Sequence, residues 1–180
     1  MTYRDHLIAA ITEIGKDPAF RVVGYNTTPP GGSGGGSFNG VPLEQRIETP
    51  LAEPLMASVA CGLSLAGYKV MLWHERGDFI FGSLDSICNH VDQLASLSNG
   101  IHRPAVIYRI CVGNKLAPLF TGPTHTRNPA NALRELVSFP VVELKWPLSI
   151  QREYAKAWDR LVNERKSTIL VEFKDMYQTE

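Results

Sequence analysis

The sequence predicts an α/β fold, a three-layer, mostly parallel sheet with helices on both faces. Three observations predict it. Short, nearly continuous apolar runs rich in β-branched residues, such as Val106-Ile107-Tyr108 and Thr168-Ile169-Leu170-Val171, read as strands buried on both sides. Segments of helical periodicity separate these runs along the chain, the alternation that builds parallel sheets. The 180 residues show no internal repeat and suit a single domain, 1–180, with a core of ordinary size.

Each element has its own signal. Tyr3, Leu7, Ile8, Ile11 and Ile14 recur at helical spacing, and Gly15 and Pro18 close that helix. Residues 21–25 read as a short β-branched strand. A Gly/Pro-rich segment, 27–40, reads as a flexible loop. The small-residue stretch 54–66 reads as a helix stopped by Gly67, and 69–74 as the next strand. Residues 83–97 read as a helix ended by Asn99-Gly100, and 105–111 as a strong strand. Asn128-Pro129 reads as a cap followed by proline at the first helical position of a short helix reaching residue 137. Residues 140–144 read as a strand, 149–165 as a long helix with Tyr154, Trp158 and Leu161 inward, and 168–173 as the last strand.

Composition narrows the function classes. Eighteen Lys and Arg balance eighteen Asp and Glu, so no global field attracts nucleic acid or an anionic membrane. No apolar run is long enough to span a bilayer, and the N-terminus starts directly into an amphipathic pattern without a signal peptide; the expected location is the cytoplasm. Cys61, Cys88 and Cys111 are odd in number, lie in apolar stretches and lack CxxC spacing, which points to reduced structural thiols rather than disulfides or a metal site.

In such a fold, ligands gather where loops leave the carboxyl ends of the strands. Three segments qualify: the loop before residue 54, the stretch 74–82, and the stretch 113–127 holding His125. Glu53 stands out because it ends the run Thr49-Pro50-Leu51-Ala52-Glu53 at the mouth of a helix, where the macrodipole favours negative charge. There is no G-x-G-x-x-G after a strand, no Walker sequence and no G-x-S-x-G elbow. The residues therefore offer a carboxylate, an imidazole and aromatic surface, but no phosphate loop.

Thr49-Pro50-Leu51-Ala52-Glu53, then Gly62 through Ala66-Gly67, Asp78-Phe79, and Leu84-Asp85-Ser86-Ile87-Cys88-Asn89-His90 resemble the pyrimidine-binding domain of thiamine-diphosphate enzymes. The similarity is to the transketolase relatives and, within them, to the beta subunit of 2-oxoacid dehydrogenase decarboxylase components. Val22-Val23-Gly24, Val106-Ile107-Tyr108-Arg109, His125 and Ile169-Leu170-Val171-Glu172-Phe173-Lys174-Asp175-Met176-Tyr177 extend it over nearly the whole chain. The resemblance implies thiamine diphosphate and Mg²⁺ as cofactors. It implies that Glu53 hydrogen-bonds the aminopyrimidine and favours its imino tautomer, so that the ring's own nitrogen removes the thiazolium proton. Phe79 matches the aromatic that packs on the pyrimidine, and His125 matches a histidine that contacts substrate and can shuttle protons. Glu75 is a further candidate beside the cofactor. Arg109 reads as a structural ion-pair member, and His90, within a helix of apolar neighbours, as structural.

The chain also departs from that family. Glu75 and Arg76 stand where the family carries uncharged residues. Lys115-Leu116-Ala117-Pro118-Leu119-Phe120 and Thr121-Gly122-Pro123-Thr124 replace a glycine-rich segment before the histidine. Gly82 replaces a larger polar residue, leaving room in the site. The Gly-Asp-Gly…Asn pattern that binds Mg²⁺ and diphosphate does not occur in these 180 residues, and the expectation is a subunit without the second α/β domain of family beta subunits. The expectation is therefore a half-site completed by an alpha-like diphosphate-binding subunit in a heterotetramer. That pair would act on small-molecule substrates as a carboligase or transketolase, cleaving a 2-oxo acid or ketose donor. The alternatives are the beta subunit of an oxidative 2-oxoacid dehydrogenase and a non-catalytic scaffold subunit.

Overall fold

Six strands lie in one sheet in the order β2-β1-β3-β4-β6-β5, and every pairing is parallel. They are β1 (Phe20–Gly24), β2 (Arg46–Glu48), β3 (Lys69–His74), β4 (Val106–Val112), β5 (Val141–Glu143) and β6 (Thr168–Phe173). The helices are α1 (Tyr3–Ile14), α2 (Glu53–Leu65), the single turn α3 (Leu94–Leu97), α4 (Ala130–Leu136) and α5 (Ile150–Asp159). This computed structural model describes residues 1–29, 34, 36–116 and 122–180. Residues 30–33 and 35 of the Gly/Pro-rich loop, and 117–121 of the segment ahead of His125, lie outside the described residues.

The alternation along each strand explains the three layers. Val22, Met71, Trp73, Ile107, Cys111 and Leu170 face one apolar cluster, which contains α1 and α5 side chains. Their neighbours Val23, Val70, Leu72, Tyr108, Ile110, Ile169 and Val171 face the other, with α2 and α4. Both faces are thus dry, as the unbroken apolar runs require. The handedness of parallel crossovers assigns each connection its face. Moves in one direction along the sheet, β2 to β3, β3 to β4 and β4 to β5, carry α2, the segment with Ile80, Ile87 and Val91, and α4 over one face. Moves in the opposite direction, β1 to β2 and β5 to β6, carry Phe38, Val41 and α5 over the other.

Local chemistry sets the element ends. Thr2 and Asp5 form a reciprocal capping box at α1. Gly67, at φ 96°, supplies the left-handed turn after α2. Asn128 Oδ1 accepts the Ala130 amide at 3.0 Å; α4 starts at Ala130, so Pro129 is its cap residue rather than its first helical position. The small residues Ala57, Ala60 and Ser64 let α2 lie against the sheet, where the Ser64 hydroxyl bonds the Ala105 amide and carbonyl.

Several sequence expectations shift. β2 is a strand that the pattern does not announce. The expected helix over 83–97 is two windings, a π-helical stretch (Asp85–Asp92) and α3, and a 3₁₀ turn (Gly77–Ser83) precedes them. The end of the long helix is likewise π-wound (Arg160–Glu164). His90 is not a residue of apolar surroundings: its ring is 58 % exposed and pairs with Asp85 at 3.4 Å. The three cysteines are free, with Cys61 and Cys111 buried and Cys88 half-buried. No helix among the described residues is long and apolar enough to cross a membrane.

Candidate functional site

β1 sends its chain over one face of the sheet and its neighbour β3 sends its own over the other. That divergence opens a crevice between their carboxyl ends, the place where open α/β sheets bind ligands. A cavity sits there. Its floor comes from the strand ends, Tyr25 after β1 and Trp73 and His74 of β3. Leu51, Glu53 and Met56 wall it from the start of α2, Glu75, Arg76 and Phe79 from the loop after β3, and His125 from the loop after β4. All four sequence candidates, Glu53, Glu75, Phe79 and His125, therefore meet in one cavity.

Glu53 is the first residue of α2 and is half-buried. Ala52, the cap residue, contributes no side-chain hydrogen bond. The turn Gly77–Ser83 fastens the first residue of the helix through its carbonyl instead. The Ser83 hydroxyl donates to the Glu53 carbonyl at 3.0 Å, and Ser83 Oγ lies 2.9 Å from Nε2 of the buried His74. Gly82 packs under the carboxylate-bearing side chain: a Cβ built there would meet Glu53 Cβ at 3.2 Å. The space expected from the glycine is thus occupied by Glu53 itself.

Phe79 is 36 % exposed and meets the His125 ring edge-to-face, centroids 5.1 Å apart and planes at 85°. It is not a core phenylalanine; its ring is available at the cavity. His125 ends the short 3₁₀ turn Gly122–His125, and its Nδ1 lies 2.9 Å from Thr124 Oγ1. Asp78 ties the two loops together by accepting the Arg127 amide at 3.1 Å. Glu75 and Arg76 approach each other, Oε1 to Nη1 at 3.7 Å, while the Arg76 Nη1 also donates to the Glu75 carbonyl at 2.7 Å.

Arg109 is structural, as its sequence context implies. It is fully buried, pairs with Glu172 through Nε and through Nη2 at 3.0 Å, and donates to Ser37 Oγ at 2.7 Å. Tyr154 and Tyr177 hydroxyls complete the Glu172 carboxylate at 2.9 and 2.8 Å. Burial opposes the Arg109 charge, but the Glu172 carboxylate beside it outweighs that and holds the guanidinium protonated. The guanidinium also lies 4.2 Å from the centre of the Trp73 ring, so the network backs the wall of the cavity.

A second anchor holds the chain leaving β1. Glu48, the last residue of β2, accepts the amides of Asn26, Thr27 and Thr28 and both threonine hydroxyls. Burial raises its pKa, but these donors, led by the Thr28 and Asn26 amides, bring it below the ordinary glutamate value. This pins the turn that follows Tyr25.

The sequence reading did not single out His74, Trp73, Tyr25 or Met56. His74 and Trp73 end an apolar strand and look like core residues, and only their position beside the crevice marks them. Among the described residues, no group of three or more His, Cys, Asp or Glu is placed to hold a metal.

Comparison with known proteins gives a fold and little more. No protein-family model matches the chain, and no curated protein sequence matches it. A solved structure described as a split-gene transketolase, inactive beta4 tetramer, superposes with a TM-score of 0.72 over 97 % of this chain at 16 % identity. The match spans 52 % of that protein, so the present chain covers about half its length. The six-stranded parallel sheet, with helices on both faces, is the fold shared with that structure.

Proposed function

We propose that this chain is the beta-like subunit of a split thiamine-diphosphate enzyme. Together with an alpha-like diphosphate-binding subunit in a heterotetramer, it would cleave a 2-oxo acid or ketose donor and transfer the acyl or ketol unit to an acceptor. The observation that carries this reading is the placement of Glu53. A half-buried carboxylate at a helix start faces a cavity at the sheet's switch point, opposite an available aromatic ring and an imidazole.

The residues fit one end of the cofactor. Phe79, Leu51, Met56 and Trp73 offer apolar surface suited to a flat heteroaromatic ring, and Glu53 stands at its edge. The reading leaves the diphosphate and Mg²⁺ to the partner subunit. Thiamine diphosphate, when bound, supplies a carbon nucleophile that adds to a carbonyl group. Glu53 would share a proton with the ring nitrogen of the aminopyrimidine, which requires a carboxylate kept from bulk water. Phe79 would orient that ring, Glu75 would stand beside it, and His125 would hold or move a proton at the substrate. The Phe79–His125 contact links the ring-packing and proton-moving groups, so displacing one disturbs the other.

The test is reconstitution with a subunit carrying Gly-Asp-Gly…Asn, thiamine diphosphate and Mg²⁺. Neither chain alone should turn over, the pair should join two carbon skeletons, and Glu53→Gln should lower kcat by about 10²–10⁴-fold. Turnover by the isolated chain would end the split-enzyme reading. An undiminished Glu53→Gln pair would favour the scaffold alternative. Efficient reduction of a lipoyl acceptor would favour the oxidative dehydrogenase.

A further inference from the structure

We infer that His74 and Ser83 are positioning residues for Glu53, a buried imidazole–hydroxyl relay that fixes the main chain from which the carboxylate projects. The inference rests on the reading of Glu53 given above and adds two residues to it.

The geometry is a three-member chain. His74, the last residue of β3, is 2 % exposed and its Nε2 lies 2.9 Å from Ser83 Oγ. Ser83 is 1 % exposed, and its hydroxyl donates to the Glu53 carbonyl at 3.0 Å. A serine hydroxyl has a single proton. Because that proton goes to Glu53, the imidazole must be the donor to Ser83, which defines the tautomer with hydrogen on Nε2. Burial lowers the His74 pKa to about 4. The ring therefore stays neutral, and the direction of the relay stays the same, across the pH range in which an exposed histidine would change charge.

The relay matters because of what else the same turn carries. Residues Gly77–Ser83 place Phe79 on the cavity and Gly82 beneath the Glu53 side chain. His74 stands at the turn's entrance and Ser83 at its end, so their mutual bond closes it like a clasp. Ser83 then fastens the closed turn to the carbonyl of the first residue of α2. Carbonyl, carboxylate stem and aromatic wall are thereby set by one rigid unit. Displacement of a reacting group by about 1 Å can cost about 10²-fold in rate, the magnitude expected from losing this unit.

The test uses Ser83→Ala, Ser83→Thr, His74→Gln and His74→Leu in the full chain and in the reconstituted pair with thiamine diphosphate and Mg²⁺. In the full chain, imidazole ¹⁵N shifts should show His74 neutral with the proton on Nε2 from pH 5 to 8. The Glu53 carbonyl ¹³C shift should change in Ser83→Ala and hold in Ser83→Thr. In the pair, Ser83→Ala and His74→Leu should lower kcat by about 10–100-fold with little change in the KM for thiamine diphosphate. Ser83→Thr and His74→Gln, which keep a donor, should recover most of it. A His74 that titrates near its ordinary value, or a Ser83→Ala protein with unchanged carbonyl shift and kcat, overturns the relay. If Ser83→Ala or His74→Leu fails to fold, the tautomer of the unaltered chain and the two conservative variants decide the matter. A fully active Glu53→Gln pair would overturn both this inference and the reading beneath it, whereas a titrating His74 beside an inactive Glu53→Gln overturns only the relay.

Discussion

The carbonyl oxygen of His125 lies directly over the backbone of Gly113: a Cβ on that glycine would stand 1.9 Å from it. Gly113 follows the last residue of β4, so the close approach is what lets the later loop fold back and bring the imidazole to Phe79. Gly113→Ala should therefore push the segment around residue 125 outward. We expect a loss of about 1–3 kcal/mol in urea unfolding, with the His125 ring resonances losing the ring-current shift from Phe79. An unchanged His125 spectrum would contradict this packing.

Gly82→Ala probes the other side of the cavity with a smaller perturbation. Its Cβ would sit 3.2 Å from Glu53 Cβ and 3.9 Å from Glu53 Oε2, so the glutamate must move by a few tenths of an ångström. Thermal unfolding should change little. Turnover of the reconstituted pair should fall by about tenfold, because the displaced group is the one whose orientation matters. Equal turnover would show that Glu53 tolerates the shift.

Glu172→Gln should be the most destabilising of these substitutions. Arg109 and Glu172 are both fully buried, and the change leaves the guanidinium without its counter-charge. Removing one member of a buried pair costs about 3–5 kcal/mol. Chemical denaturation measures this directly. Near-UV circular dichroism should also change, since Arg109 stacks on Trp73.

His74 predicts a pH dependence of stability with a defined sign. Its folded pKa, about 4, lies below the ordinary 6.5, so the unfolded chain binds the proton first as pH falls. The contribution is fully present above 6.5 and is lost progressively as pH drops towards 4, by about 3 kcal/mol in total. His74→Gln should flatten this part of the stability–pH curve relative to the unaltered chain. If the two curves run parallel between pH 6.5 and 4, His74 is not the buried neutral group described above.

The elements that the sequence makes legible are those whose signal is local. Alternating apolar runs and helical spacing identify five of the six strands and the long helices, because burial on both faces leaves an unbroken apolar record. β2 escapes because it is three residues long, with Arg46 and Glu48 on either side of Ile47; only pairing against Val22, Val23 and Gly24 makes it a strand. The π-wound stretch escapes because i→i+4 and i→i+5 windings leave Ile87 and Val91 on similar faces. At the site, Glu53 and His125 are visible as unusual residue types in strand-to-helix connections. His74 and Gly113 are not, since one resembles core and the other an ordinary loop glycine.

Periodicity and composition carry the class of fold, the order of its elements and the chemical character of the candidates. The tertiary structure alone decides which candidates meet. β1 and β3 pair as neighbours while the connections leaving them cross opposite faces of the sheet, and this sets Glu53, from one crossover, against Phe79 and His125, from two others. Such a meeting depends on pairings between segments distant in the chain, whose strengths come from packing and closure rather than from any local pattern.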